Sequence, residues 1–141
     1  MKERQCNAAA LRAASRRTSQ FYEEALAPSG LRGTQFSLLS RIDAAGAVPL
    51  NELADRLAMD RSTLGHNLRP LQRDGLIALG SDPRDRRARA VTLTRKGKAK
   101  LVATFPLWAK AHARFETAFG ARRAARLRKL LAQVEAALAD R

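Results

Sequence analysis

The chain has 141 residues, 45% hydrophobic and only 5% aromatic, with one cysteine and a formal net charge of +14. That length fits one domain or a compact two-part protomer; a single cysteine excludes an internal disulfide framework, and no apolar run of about 18 residues exists to cross a membrane. The basic excess favours a polyanionic partner, and it is spread along the chain (net +3 in residues 1–48, +5 in 49–98, +6 in 99–141) rather than gathered in a polybasic tail.

The first residues, Met1-Lys2-Glu3-Arg4-Gln5, lack the apolar centre of a signal peptide, so a cytoplasmic protein is expected. Residues from about 6 to 26 read as an Ala-rich helix. Ala9, Ala10, Ala13 and Ala14 give it a small-residue face for close helix approach, and Leu11, Phe21 and Leu26 give it bulk. Ala27-Pro28-Ser29-Gly30 is a break. Thr34 can cap a second helix running to about Ala45, with Phe36, Leu38, Leu39 and Ile42 inward and Gly46 at its C-terminal end. Val48-Pro49-Leu50 reads as a short extended link.

Next come two short helices joined by a tight turn. Asn51 can cap the first, in which Leu53, Ala54 and Leu57 share an apolar face. Asp60 can cap the second, where a carboxylate also suits the positive end of the helix dipole. In the second helix Leu64, Leu68 and Leu71 fall at i, i+4, i+7 and point inward. Its other face carries Arg61, Ser62, Thr63, His66, Asn67, Arg69, Gln72 and Arg73. Such a helix–turn–helix presents the start of its second helix to base edges in a DNA major groove. A solvated amphipathic helix has the same pattern, and the segment after Gly75 separates the two possibilities.

Beyond Gly75 the period changes. Leu76–Leu79 and Ala90–Leu93 are short strand candidates flanking a long, basic, turn-rich loop, Gly80 to Arg89. A basic hairpin directly after a recognition helix is a wing. Arg84, Arg86 and Arg87 can enter a minor groove, and Asp85 is placed to hold a nearby Arg. Thr94 can start a long helix to about Thr117 or Phe119, with Leu101, Val102, Phe105, Trp108, Ala111, Phe115 and Phe119 on its apolar side and Pro106 as a kink or break. Gly120 separates a last helix, about 121–139, whose Leu127, Leu130, Leu131, Val134 and Leu138 form a stripe for helix one or for a second copy of the chain. The fold class expected is therefore mainly α with a small β-hairpin wing (α+β): a winged helix–turn–helix core at 34–98 and a helical dimerisation region from 1–33 and 99–141. Two histidines 46 positions apart and one distant cysteine make no metal-ligand spacing. No nucleophile motif or phosphate-cradling loop points to an enzyme, and no cofactor is expected.

Four strings carry a family resemblance: Leu53-Ala54-Asp55-Arg56-Leu57; Leu68-Arg69-Pro70-Leu71-Gln72-Arg73-Asp74-Gly75-Leu76-Ile77; Asp82-Pro83-Arg84-Asp85-Arg86-Arg87; and Val91-Thr92-Leu93-Thr94-Arg95-Lys96-Gly97. With the order of elements, they make the chain similar to the MarR family of bacterial transcriptional regulators. The wing string followed by the Leu-Thr-x-x-Gly turn is the specific part. The resemblance implies a homodimer on a pseudo-palindromic double-stranded DNA operator, repression of a nearby gene, and release by a phenolic or other anionic ligand or by thiol oxidation. Carried to this sequence, Ser62, Thr63, His66, Asn67 and Arg69 face bases or phosphates, Arg61 and Arg73 flank them, and Asp85 with Arg87 matches the family's wing pair. Asn bonded to adenine and Arg to guanine would each discriminate by about 1–3 kcal/mol.

The ligand pocket expected between the dimer helices and the winged helix draws on Arg16, Arg17, Phe21, Tyr22, Phe36, Trp108 and His112. Core aromatics and surface arginines are the alternative reading of the same residues. Cys6 also reads two ways. It is a small packing residue, or a redox thiol activated by a helix N-terminus with Lys2 and Arg4 nearby. The family's peroxide sensors pair that thiol with the partner's tyrosines, whereas this chain has one, Tyr22. An effector-independent architectural DNA binder is the alternative function.

Overall fold

The computed structural model describes residues 5–139. Helix α1 (Asn7–Leu26) runs into a single 3-10 turn, Ala27–Ser29, and α2 (Gly33–Ala45) comes next. Strand β1 (Val48–Pro49) leads to α3 (Leu50–Arg56) and α4 (Arg61–Arg73). The hairpin β2 (Ile77–Asp82) and β3 (Asp85–Leu93) precedes the long α5 (Arg95–Phe119) and the terminal α6 (Ala121–Leu138). The sheet is antiparallel in the order β1-β3-β2. None of these helices is long and apolar enough to cross a membrane.

One core holds the middle of the chain together. Leu26, Leu31, Phe36, Leu38, Leu39 and Ile42 meet Leu53, Leu64, Leu68 and Leu71, closed by Leu76, Ile77, Val91 and Leu101. Each fully buried leucine contributes roughly 1.5–3 kcal/mol relative to exposure. The inward i, i+4, i+7 set of α4 is buried as its spacing predicts.

Several local expectations are corrected. Asn51 does not cap α3. The helix begins two residues earlier than such a cap would place it, at Leu50 with Pro49 at the cap position, and Asn51 Oδ1 instead accepts from Arg61. Thr34 does not cap α2, which starts at Gly33. The Gly33 amide is met from α1, donating to Glu23 Oε1 at 2.7 Å, and the Arg32 amide at the cap position from within α2, donating to Gln35 Oε1 at 2.9 Å. The 80–89 segment is not an open loop. Pairing runs through Ser81 opposite Arg89 and, past an irregularity that leaves 86–88 unpaired, closes at Asp82 opposite Asp85 around a tight turn at Pro83-Arg84, where Asp82 Oδ1 accepts the Arg84 amide at 3.0 Å. Val48-Pro49 is not a mere link but the third strand, Val48 pairing with Val91.

The terminal helices pack less than expected. Ala10, Ala13 and Ala14 are exposed within the protomer and Ala9 is half-buried, so most of the Ala face of α1 stays uncovered there. Val102 and Phe105 are 60% and 53% exposed, whereas Gly97, Leu101, Thr104 and Ala111 form the buried side of α5. The α6 stripe of Leu127, Leu130, Leu131, Val134 and Leu138 lies open instead of covering α1. Pro106 sits within α5, which continues past it as one helix.

Thr94 caps α5 as expected, its hydroxyl oxygen accepting Gly97 N at 3.0 Å. Gly97 is constrained more severely. A Cβ there would stand 1.9 Å from the Leu76 carbonyl oxygen, so helix and strand meet without room for a methyl group. At Gly65, also helical, a Cβ meets nothing within 4 Å. Gly97→Ala is therefore expected to lower unfolding stability by about 3 kcal/mol in urea titrations, and Gly65→Ala to raise it by up to about 1 kcal/mol. Equal effects would contradict the close approach.

Candidate nucleic-acid interface

The start of α4 is built for presentation. Asp60 stands at the N-cap and accepts the Thr63 amide at 2.6 Å. The turn before it closes through Ala58, which holds φ +51°, and through Met59 N donating to Ala54 O at 2.9 Å. This fixes the direction of the first α4 turn. Arg61, Ser62, Thr63, His66, Arg69, Gln72 and Arg73 all point to solvent. Arg61 is steadied by Asn51, and Arg73 lies 3.5 Å from Asp74. Asn67 is the exception on this face. It is half-buried, and its Nδ2 lies 3.6 Å from Met59 Sδ.

In the wing, Arg86 and Arg87 are exposed and form no ion pair among the described residues, and the Arg87 amide donates to Asp85 Oδ1 at 3.0 Å. Asp85 thus orders the backbone of Arg87. Arg84 leans toward α3 while staying 67% exposed, its guanidinium 3.6 Å from both Glu52 and Asp82. A cleft of about 300 Å³ between the recognition helix and the wing base is lined by Asn51, Arg61, Asp85, Arg87 and Arg89. Two exposed arginine groups, one on α4 and one on the wing, therefore border a common concave surface suited to a phosphate backbone.

A larger cavity of about 660 Å³ lies behind α4, walled by α1, α2, α5 and the helix–turn–helix. Of the expected liners, Tyr22, Phe36 and Trp108 are there. Arg16, Arg17, Phe21 and His112 are not. The cavity side of α1 is set by Thr18, Ser19, Tyr22, Glu23 and Leu26, and helix rotation turns Arg17 and Phe21 away. Phe21 packs edge-on against Phe115 under the Arg114 guanidinium. His112 lies behind the wall, stacked on Trp108 at 4.7 Å and 3.4 Å from the Tyr22 hydroxyl. Its other ring nitrogen is 3.3 Å from Glu116, which also faces Arg128 at 3.6 Å. Burial, and then the Glu116 charge, push the Tyr22 phenol above its ordinary value against a smaller opposing effect of Arg128, so it remains protonated at neutral pH.

The cavity residues that sequence reasoning missed include Arg41, Met59 and Asn67. A signal for Arg41 was present, since Thr34, Ser37 and Arg41 recur at i, i+3, i+7 on α2. Cys6 stands exposed just before α1; Lys2 and Arg4, expected beside it, lie outside the described residues. Among the described residues no group of three or more His, Cys, Asp or Glu is placed to hold a metal.

Comparison with known proteins agrees with this geometry. The sequence profile of the MarR family matches residues 29–88. The chain is 37% identical to the M. tuberculosis transcriptional regulator MosR in its crystal structure with DNA, covering 97% of this chain and 99% of that one at a TM-score of 0.84. The chain belongs to the MarR family. The fold is that family's winged helix. The repressor CouR, bound to a 23-mer DNA duplex, is 30% identical over 92% of each chain at a TM-score of 0.81. The transcriptional activatory protein BadR of Rhodopseudomonas palustris is 35% identical over 77 residues, 52% of this chain and 44% of that protein, so the match spans less than half of BadR.

The Asp60 cap carries a pH dependence. Hydrogen bonds from Thr63, chiefly its amide, hold the carboxyl below its ordinary value of 3.8. A depressed folded value means the cap's contribution is complete above 3.8 and disappears as pH falls through the folded value. The urea midpoint of the wild type should therefore exceed that of Asp60→Ala at pH 7, and the gap should close in acid. A constant gap would show that the charge plays no part.

Proposed function

We propose that this MarR-family protein is a homodimeric, sequence-specific DNA-binding regulator that represses nearby genes and releases DNA when a small anionic aromatic ligand fills the cavity behind α4. The observation that carries this reading is the outward array of Arg61, Ser62, Thr63, His66, Arg69 and Arg73, fixed by the Asp60 cap and continued by Arg86 and Arg87 on the wing. Mixed donors and acceptors on the helix suit base edges, and free wing arginines suit a minor groove. The DNA complexes of MosR and CouR support the same placement.

The open leucine stripe of α6 supports dimerisation through 1–33 and 99–141, since an apolar row of this length rarely faces water uncovered. A second copy would also bring the two recognition helices to successive half-sites. For the ligand, Arg41 is a cavity cation with no acidic partner among the described residues, and Tyr22 and Trp108 supply flat apolar surface beside it. Asn67 and Met59 place the helix–turn–helix itself in the cavity wall. Exposed Cys6 supports thiol oxidation as a second route to release.

The test is fluorescence anisotropy on labelled DNA from upstream of the protein's own gene, with excess nonspecific competitor. Arg87→Ala should weaken the competitor-resistant complex by at least ten-fold, about 1.4 kcal/mol, while the dimer persists in sedimentation. Arg41→Met should bind DNA normally and lose release by aromatic carboxylates. Release by hydroperoxide alone, abolished in Cys6→Ser, would move the sensor from the cavity to the thiol. Binding that depends steeply on salt but not on sequence would favour an architectural role.

A further inference from the structure

We propose that Glu52 and Arg84 form a clamp that sets the angle of the wing, making Arg84 a positioning residue for DNA binding and leaving Arg86 and Arg87 as the contacts. The inference rests on the proposed DNA-binding function and assigns different work to neighbouring arginines of one basic tip.

The ladder is weakest where the wing needs direction. Pairing passes from Ser81 opposite Arg89 to Asp82 opposite Asp85, so Arg86, Arg87 and Ala88 have no counterpart on β2. Backbone hydrogen bonding alone therefore does not fix how the tip leans against the helix–turn–helix. A side-chain tie does. Arg84 Nη2 stands 3.6 Å from Glu52 Oε2 on α3, and its Nε is 3.6 Å from Asp82 Oδ1. Asp82 is only 4% exposed and already accepts the Arg84 amide, so one end of the tie is anchored in the body of the wing. Glu52 is anchored on its other oxygen by Arg56, one helical turn along α3. Together Glu52, Arg56, Asp82, Pro83 and Arg84 line a polar cleft between α3 and the wing.

A planar guanidinium with separate donors can serve two carboxylates in different directions, which a lysine ammonium on a flexible stem does less well. Two acids facing one arginine also oppose its transfer to a phosphate. Arg86 and Arg87 lie immediately beyond the tie with no acidic partner among the described residues, so the clamp aims them without occupying them.

The clamp reverses the sign expected from charge alone. Removing the negative charge of Glu52 beside a polyanion should tighten binding if Arg84 were a phosphate contact, because it frees that arginine. Under the clamp, Glu52→Gln weakens operator binding about three-fold, the scale of one exposed ion pair. Arg84→Met weakens it similarly with an unchanged slope of log K against log salt, and the double variant is no weaker than either single one. Tighter binding by Glu52→Gln, or a slope reduced by about 0.9 in Arg84→Met, overturns the proposal.

Amide relaxation of the free protein supplies an arm independent of DNA. Order parameters at Arg84 to Arg87 should fall in Glu52→Gln, and unchanged values overturn the tie. Should the wild type bind no duplex, the DNA reading fails with the clamp's purpose, while relaxation still decides whether the tie holds the tip.

Discussion

Everything in this structure depends on a junction a few residues wide, where the recognition helix ends, the wing begins and the long helix departs. Leu76 N donates to Leu71 O at 2.9 Å, closing the end of α4, and the Leu76 carbonyl accepts Thr94 N at 3.1 Å at the foot of the hairpin. The Thr94 hydroxyl donates to Gly75 O at 2.6 Å while its oxygen accepts Gly97 N. Lys96 Nζ reaches Asp74 O at 2.8 Å. Gly75 takes φ +73°, a conformation that opens the turn at no steric cost for glycine, and Gly97 lets α5 pass over the Leu76 carbonyl. The orphan carbonyls of one helix and the orphan amides of the next are thus satisfied by the same few groups. An orientation set in α5 is handed to α4 and to the wing without an intervening flexible segment.

This junction explains what the sequence disclosed. Asp60 and Thr94 act within one helical turn and the α4 leucines recur turn by turn, so their consequences can be read from spacing. The Leu-Thr-x-x-Gly string is specific because it encodes both a cap and a close approach. The strand through residues 80–89 escaped such reasoning because it is polar and exposed, and its pairing partner is visible only once the chain has folded back. Two-residue β1 has no period to detect. Arg16 and Arg17 were attractive as ligand anchors by charge, but cavity position on α1 depends on rotation relative to α2 and α5, which no local spacing supplies. Exposure of Val102 and Phe105 was hidden for a related reason: an apolar residue does not state whether its neighbour belongs to its own chain.

Charge in the reading region is sorted by pairing rather than by number. Arg56 and Arg84 are tied to Glu52, Arg61 leans on Asn51 and Lys98 pairs with Asp43, whereas Arg86, Arg87 and Arg69 have no acidic partner among the described residues. A polyanion gains most from cations that need not first be detached from an acid. The net charge of +14 therefore overstates the surface that binds and understates its organisation.

The cavity connects to this surface by shared residues. Asn67 and Met59 belong at once to the helix–turn–helix and to the cavity wall, while Tyr22 and Trp108 come from α1 and α5. An occupant touching both walls distinguishes states by the distance between them, and a ligand shifts an equilibrium only by such differential contact. The Asn67–Met59 contact lies on the helix–turn–helix wall, and the Thr94–Gly97 junction holds the C-terminal end of α4. In the proposed ligand response, an occupant that pushes these walls apart acts on α4 away from its C-terminal anchor, and so on the Asp60-capped end with its array of donors.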